Sequence, residues 1–94
     1  MVEMARQARF ALGQMVITAN AAREIAPEEA AWALRRHVTG DWGEVDEHDR
    51  QVNEEALRSG ERLLSVYQTR AGVRFYVITE AMREFTTVML PEDY

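Results

Sequence analysis

Apolar and polar positions follow two different periods along this chain, and the change falls near residue 61. Between Pro27 and Ser59 apolar residues recur every three or four positions, the spacing of one helix face. From Arg62 onward they recur at every second position, the spacing of strands.

Ahead of these regions, Phe10 to Ala19 (FALGQMVITA) has the β-branched content of a strand, with Met15, Val16 and Ile17 expected as its buried part and Gly13 as a break or bulge. Thr18 or Asn20 can cap a short helix over Ala21 to Ile25. Pro27 suits the first position of a second helix, with Glu28 and Glu29 near its positive dipole end. Arg35, Arg36 and His37 fall in the last turn, and Gly40 follows as a stop. Ala30, Ala31, Leu34 and Val38 share one face of that helix, with Trp32 nearly opposite, beside Arg35 and Arg36. A third helix is expected from an Asp46 N-cap to Ser59, stopped by Gly60, with Val45, Val52, Ala56 and Leu57 facing inward. Then RLLSVYQT, VRFYVITE and FTTVMLP read as strands joined by two short turns, Arg70 to Gly72 and Ala81 to Glu84, which force antiparallel neighbours. Phe75, Tyr76, Val77 and Ile78 make the middle strand apolar on both faces, as a central strand requires.

The order β-α-α-α-β-β-β predicts a single α+β domain over residues 1–94. Three short helices pack on one face of a mostly antiparallel sheet, built from the N-terminal strand and a C-terminal three-stranded meander. Residues 1–9 are expected to be a loose N-terminal segment.

Composition narrows the chemistry. There is no cysteine, which removes disulfides, thiolate metal sites and cysteine nucleophiles. No apolar run approaches the roughly 20 residues that span a bilayer, and no signal-peptide core is present, so a cytoplasmic protein without membrane contact is expected. Net charge is −5, and direct nucleic-acid binding is not expected, because phosphate contacts need a cationic surface. The acidity is local. Asp41 to Glu61 holds eight carboxylates against Arg50 and Arg58, a balance of −6, so the rest of the chain is close to neutral.

Several residues could carry chemistry. His37, Asp41, His48 and Asp49 are the only set resembling metal ligands. His48 and Asp49 point about 100° apart on a helix, and no spaced histidine pair exists, so neither metal nor cofactor is expected. His37 near a helix stop reads as a dipole partner. Gly40-Asp41-Trp42-Gly43 permits a tight turn that folds the indole inward, with Asp41 accepting backbone N–H groups or pairing with Arg36. Asp49 and Asn53 can join Thr79, Glu80, Arg83 and Thr87 in a structural polar cluster, extended by Asp41 and Trp42, if the third helix packs near the second turn of the meander. An enzymatic alternative takes Glu80 as base and Arg83 as phosphate clamp, as in a nuclease-like toxin. The preferred contact residues are Trp32, Arg35 and Arg36, whose composition matches interface hot spots, and Glu47, Glu54 and Glu55, which can meet a basic partner protein. A homodimer that covers Trp32 is a further alternative.

The chain also resembles a family of small bacterial proteins often labelled plasmid-related. The resemblance is carried by Leu12-Gly13-Gln14, Arg36-His37, Gly40 to Gly43, Asp49, Asn53, Leu63-Leu64-Ser65, Tyr67, Ile78-Thr79-Glu80, Arg83, Thr86-Thr87, Leu90-Pro91-Glu92 and Tyr94. Two positions depart from that pattern: Ala19-Asn20 replaces Pro-Gly, and Met82 replaces an Asp. The resemblance implies an accessory role on a mobile genetic element, such as regulation, plasmid maintenance or countering host defence. Combined with the residues above, it implies a non-enzymatic protein acting through protein contacts.

Overall fold

In the computed structural model, which describes residues 7–94, the elements are β1 (Gln14–Ile17), α1 (Ala19–Glu24), α2 (Pro27–Val38), α3 (Glu47–Ser59), β2 (Leu63–Gln68), β3 (Arg74–Thr79) and β4 (Phe85–Met89). The sheet order is β1-β4-β3-β2. The meander β2-β3-β4 is antiparallel, as its short loops require, and β1 joins its outer side parallel to β4. The α+β architecture read from the sequence is therefore the one observed.

The helical cover follows from alternation in the strands. Leu63, Ser65 and Tyr67 share a sheet face with Phe75, Val77, Thr79, Thr86 and Val88, as the register shows. Tyr67, Phe75, Val77, Val88 and Leu90 form the main core with Ala21, Ile25 and Ala33 of the first two helices. A second, smaller core joins Trp42, Ala56 and Leu63, with Phe10, Val45 and Leu57 against it.

Caps set the helix limits. Thr18 accepts the Ala21 N–H at 3.1 Å and starts α1 two residues earlier than the alanine run suggested. Asn20 is used differently: with Thr18 it donates to the Asp93 carboxylate, at 2.8 and 2.7 Å, tying the chain's last residues to α1. Asp46 accepts the Asp49 N–H at 2.8 Å, and Gly60 closes α3 in the left-handed region at φ 81°.

Four expectations are corrected. Met15, Val16 and Ile17 are exposed rather than buried, because β1 is an edge strand that α1 and α2 cover only in part. On α2 the inward face is rotated toward Ala33 and His37, both fully buried, while Ala31 is exposed. On α3 Val52 is exposed and Asn53 is buried. The Asn53 amide donates to the Leu64 carbonyl at 2.7 Å and accepts the Leu64 N–H at 3.1 Å, and this double bond to β2 fixes the helix rotation. Of the segment expected to be loose, residues 1–6 lie outside the described residues, and Arg9 is held. Its backbone N–H reaches the Val38 carbonyl at 2.8 Å, and its guanidinium reaches Glu54 at 3.0 Å.

The β3-β4 turn carries local strain. Met82 and Arg83 have φ of 69° and 59°, the left-handed region that costs an ordinary L-residue about 1–2 kcal/mol. Met82 is 80% exposed, so little burial offsets this. The Met82→Gly variant is expected to gain about 1 kcal/mol of stability. Urea unfolding would test this, and an unchanged or lower midpoint would refute it.

Candidate functional site

A buried histidine sits where the two cores meet. His37 is fully buried, with Nδ1 2.6 Å from Ser65 Oγ and Nε2 2.9 Å from Thr79 Oγ1. Thr79 Oγ1 lies 2.6 Å from Thr86 Oγ1, and Thr86 donates to the Leu12 carbonyl at 2.7 Å. One proton arrangement satisfies the whole row. A carbonyl only accepts, so Thr86 spends its proton on Leu12, and Thr79 must donate to Thr86. Nε2–H then donates to Thr79, and Nδ1 accepts from Ser65. The row therefore holds His37 neutral with its proton on Nε2. Burial, and secondarily the nearby positive charge of Arg83, push its pKa down to about 3. His37 is thus not the charged helix-end partner expected from its position. The aromatic ring of Phe10 meets it edge-on at 5.1 Å, and that of Trp42 at 5.7 Å.

The Gly40 to Gly43 turn delivers Trp42 to this place. Gly43 has φ 75° and forms a parallel bridge to Val66, flanked by the bonds Val66 N–H to Trp42 O (3.1 Å) and Glu44 N–H to Val66 O (2.8 Å). The approach is so close that an added Cβ would lie 2.0 Å from the Val66 carbonyl oxygen. Trp42 is buried, and its Nε1–H donates to Glu54 at 3.0 Å. Asp41 accepts the Gly43 N–H at 3.2 Å and pairs with Arg36 through two bonds, at 2.7 and 3.1 Å.

Arg36 links this turn to the outer face of α2. Its guanidinium lies between two rings, 4.6 Å from the centre of Trp32 and 4.7 Å from that of Tyr67. The Asp41 hydrogen bonds raise its pKa further above the usual arginine value. Tyr67 in turn donates to the Asp41 carbonyl at 2.6 Å. Trp32 is held from beneath in this way yet remains 46% exposed. Beside it lies a shallow groove lined by Glu28, Glu29, Arg35, Gln68 and Arg70.

The acidic helix is less open than its composition suggests. Glu47 is bound by Arg50 at 2.6 Å and by Gln51 at 3.0 Å, which hold its pKa near 2. Glu55 pairs with Arg58 at 2.7 Å. Glu54 is structural: it receives Arg9 and Trp42, and those bonds, Arg9 foremost, depress its pKa.

The residues expected to form one polar cluster are dispersed. The reason is that α3 packs along β2, on the far edge of the sheet from β1, and only its C-terminal end meets the β3-β4 turn, where the Met82 N–H reaches the Gly60 carbonyl at 3.3 Å. Asn53 is taken up by Leu64, Asp49 lies in the first turn of α3, and Glu80 precedes the β3-β4 turn. Thr87 lies on the opposite sheet face from Thr79. Arg83 alone reaches α3, donating to the Glu61 and Ala56 carbonyls at 2.6 and 2.9 Å. It thereby adds a second bond to the Ala56 carbonyl, which already accepts the Gly60 N–H, and these bonds compete with any use of the guanidinium as a phosphate clamp. Among the described residues, no three of His, Asp and Glu are grouped to hold a metal ion.

The Ser65–His37–Thr79–Thr86 row was missed in the sequence. Its signal was present: Ser65, Thr79 and Thr86 are polar residues at inward strand positions opposite a helix.

No helix among the described residues is long and apolar enough to cross a membrane. No protein-family model, curated protein or solved structure matches the chain.

Proposed function

We propose that this chain is a small non-enzymatic interaction protein of a mobile genetic element, and that it binds a partner protein through the Trp32 face of α2. The observation that carries this reading is the exposed indole of Trp32, fixed on the Arg36 guanidinium 4.6 Å away. Arg36 is itself held by Asp41 and Tyr67. A large aromatic fixed in advance loses little freedom on binding, which is the property of an interface anchor. Arg36 serves as the support of this anchor, and Arg35 and Arg70 supply charge at its rim. The −6 segment contributes a long-range field that favours a basic partner and raises its encounter rate. A regulatory or anti-defence role on the mobile element follows from the family resemblance.

The test is capture from a bacterial lysate at low and high salt. Trp32→Ala is expected to weaken capture about tenfold or more while changing stability by under about 1 kcal/mol. Glu47→Gln with Glu55→Gln is expected to slow association at low salt only. Glu54 is left intact because it holds Trp42. Equal capture by wild type and Trp32→Ala would overturn the reading.

A further inference from the structure

We infer that the free edge of β1 is a homodimer interface, formed by antiparallel pairing of β1 with the β1 of a second copy. On its inner side β1 is bonded to β4 through even-numbered residues: the Gln14 N–H reaches the Glu84 carbonyl at 3.0 Å, and the Thr18 N–H reaches the Val88 carbonyl at 3.1 Å. Backbone groups alternate along a strand, so the N–H and C=O of Met15 and Ile17 point to the outer edge. Among the described residues this short edge lacks two of the usual protections. It carries no charged residue and no proline, and its three apolar side chains are exposed: Met15 by 60%, Val16 by 40% and Ile17 by 43%. Next to it lies an apolar groove of about 370 Å³, with Ile25, Ala30, Leu34 and Val88 among its lining and no charged residue.

A second copy fits this edge for two reasons. The first is symmetry. A two-fold axis through Val16 places Met15 opposite Ile17 of the other copy, and Ile17 opposite its Met15. Each pair exchanges two backbone hydrogen bonds, and every apolar side chain meets an apolar side chain. The second is charge. Each chain carries −5, but the −6 segment and α3 lie at the β2 edge, across the whole sheet from β1. Pairing through β1 keeps the two acidic segments at opposite ends of a continuous eight-stranded sheet. A partner selected for positive charge finds no carboxylate on β1 or in the groove beside it.

The test uses the full chain, which has no native cysteine. Sedimentation velocity on the wild type is expected to give twice the 10.8 kDa mass of one chain. Met15→Lys puts a charge into the pairing edge at an exposed position and is expected to weaken the dimer about 100-fold or more, with an unchanged circular dichroism spectrum. Val16→Cys would face its own copy in a pair without mutual hydrogen bonds, at a Cα separation of about 4.5 Å, within disulfide reach. It is expected to cross-link on oxidation, whereas Gln68→Cys on the far edge is not. A wild type that sediments as one chain overturns the inference. So does a dimer that survives Met15→Lys, or one that forms while Val16→Cys fails to cross-link.

Discussion

Gly43→Ala is expected to cost about 3–5 kcal/mol, a large share of the roughly 5–15 kcal/mol that stabilises a domain of ordinary stability. Two costs coincide at this position. The φ of 75° is strained for alanine, and the new methyl would lie 2.0 Å from the Val66 carbonyl oxygen and 2.8 Å from the Tyr67 ring. Backbone cannot yield there without breaking the two bonds that bridge Trp42 and Glu44 to Val66. Releasing them withdraws Trp42 from the second core and removes its bond to Glu54. Gly60→Ala is the matched control. Its φ of 81° is similar, but nothing stands within 4 Å of the added methyl, so only the backbone strain of about 1 kcal/mol is expected. Urea unfolding of both variants separates close approach from strain. Equal losses would show that the contact with Val66 is of no consequence.

Lowering the pH from 7 to 5 is expected to remove about 2 kcal/mol of stability through His37 alone. Its folded pKa is near 3, against 6.5 when unfolded. Below pH 6.5 the unfolded chain takes up a proton that the folded chain refuses. The stabilisation is therefore complete above pH 6.5 and falls as the pH drops from there toward 3. Glu47, Glu54 and Asp93 have folded pKa values below the ordinary carboxylate values, so their contributions are lost only at lower pH. The window from pH 6.5 to 5 thus isolates the histidine. His37→Gln keeps a donor and an acceptor in the row and is expected to flatten the profile in that window, at lower stability throughout. A wild-type midpoint that does not move between pH 7 and 5 would contradict the neutral, buried imidazole.

The fold was largely legible because its signals are local. Asp46, Gly60, Pro27 and the two short turns of the meander each act within a few residues, and the period change at residue 61 separates helices from strands. What failed depends on distant contacts. The exposure of Met15 to Ile17 is not decided locally, because the same apolar triplet fits a central or an edge strand, and only the place of β1 at the sheet edge beside β4 decides between them. Val52 and Asn53 exchanged roles because a two-bond amide clamp on Leu64 outweighs the burial of one valine. The Trp42 turn was readable from its glycines. For His37 the sequence holds only half the signal: Ser65 and Thr79 are polar at inward strand positions, but they lie 28 and 42 residues away, so nothing local assigns them to this histidine.

The parallel pairing of β1 with β4 also sets an order of events during synthesis. Gln14 to Ile17 pair with Phe85 to Val88, and the bond from Thr18 to Asp93 spans 75 residues. The ribosome delivers β1 well before its partner β4. Throughout elongation β1 has no strand to join, and a closure this long is entropically slow. The meander can assemble as soon as its hairpins emerge, and β1 docks onto a finished sheet. A nascent chain stalled before Phe85 therefore displays Met15, Val16 and Ile17 without the strand they pair with, an apolar segment open to aggregation until β4 emerges.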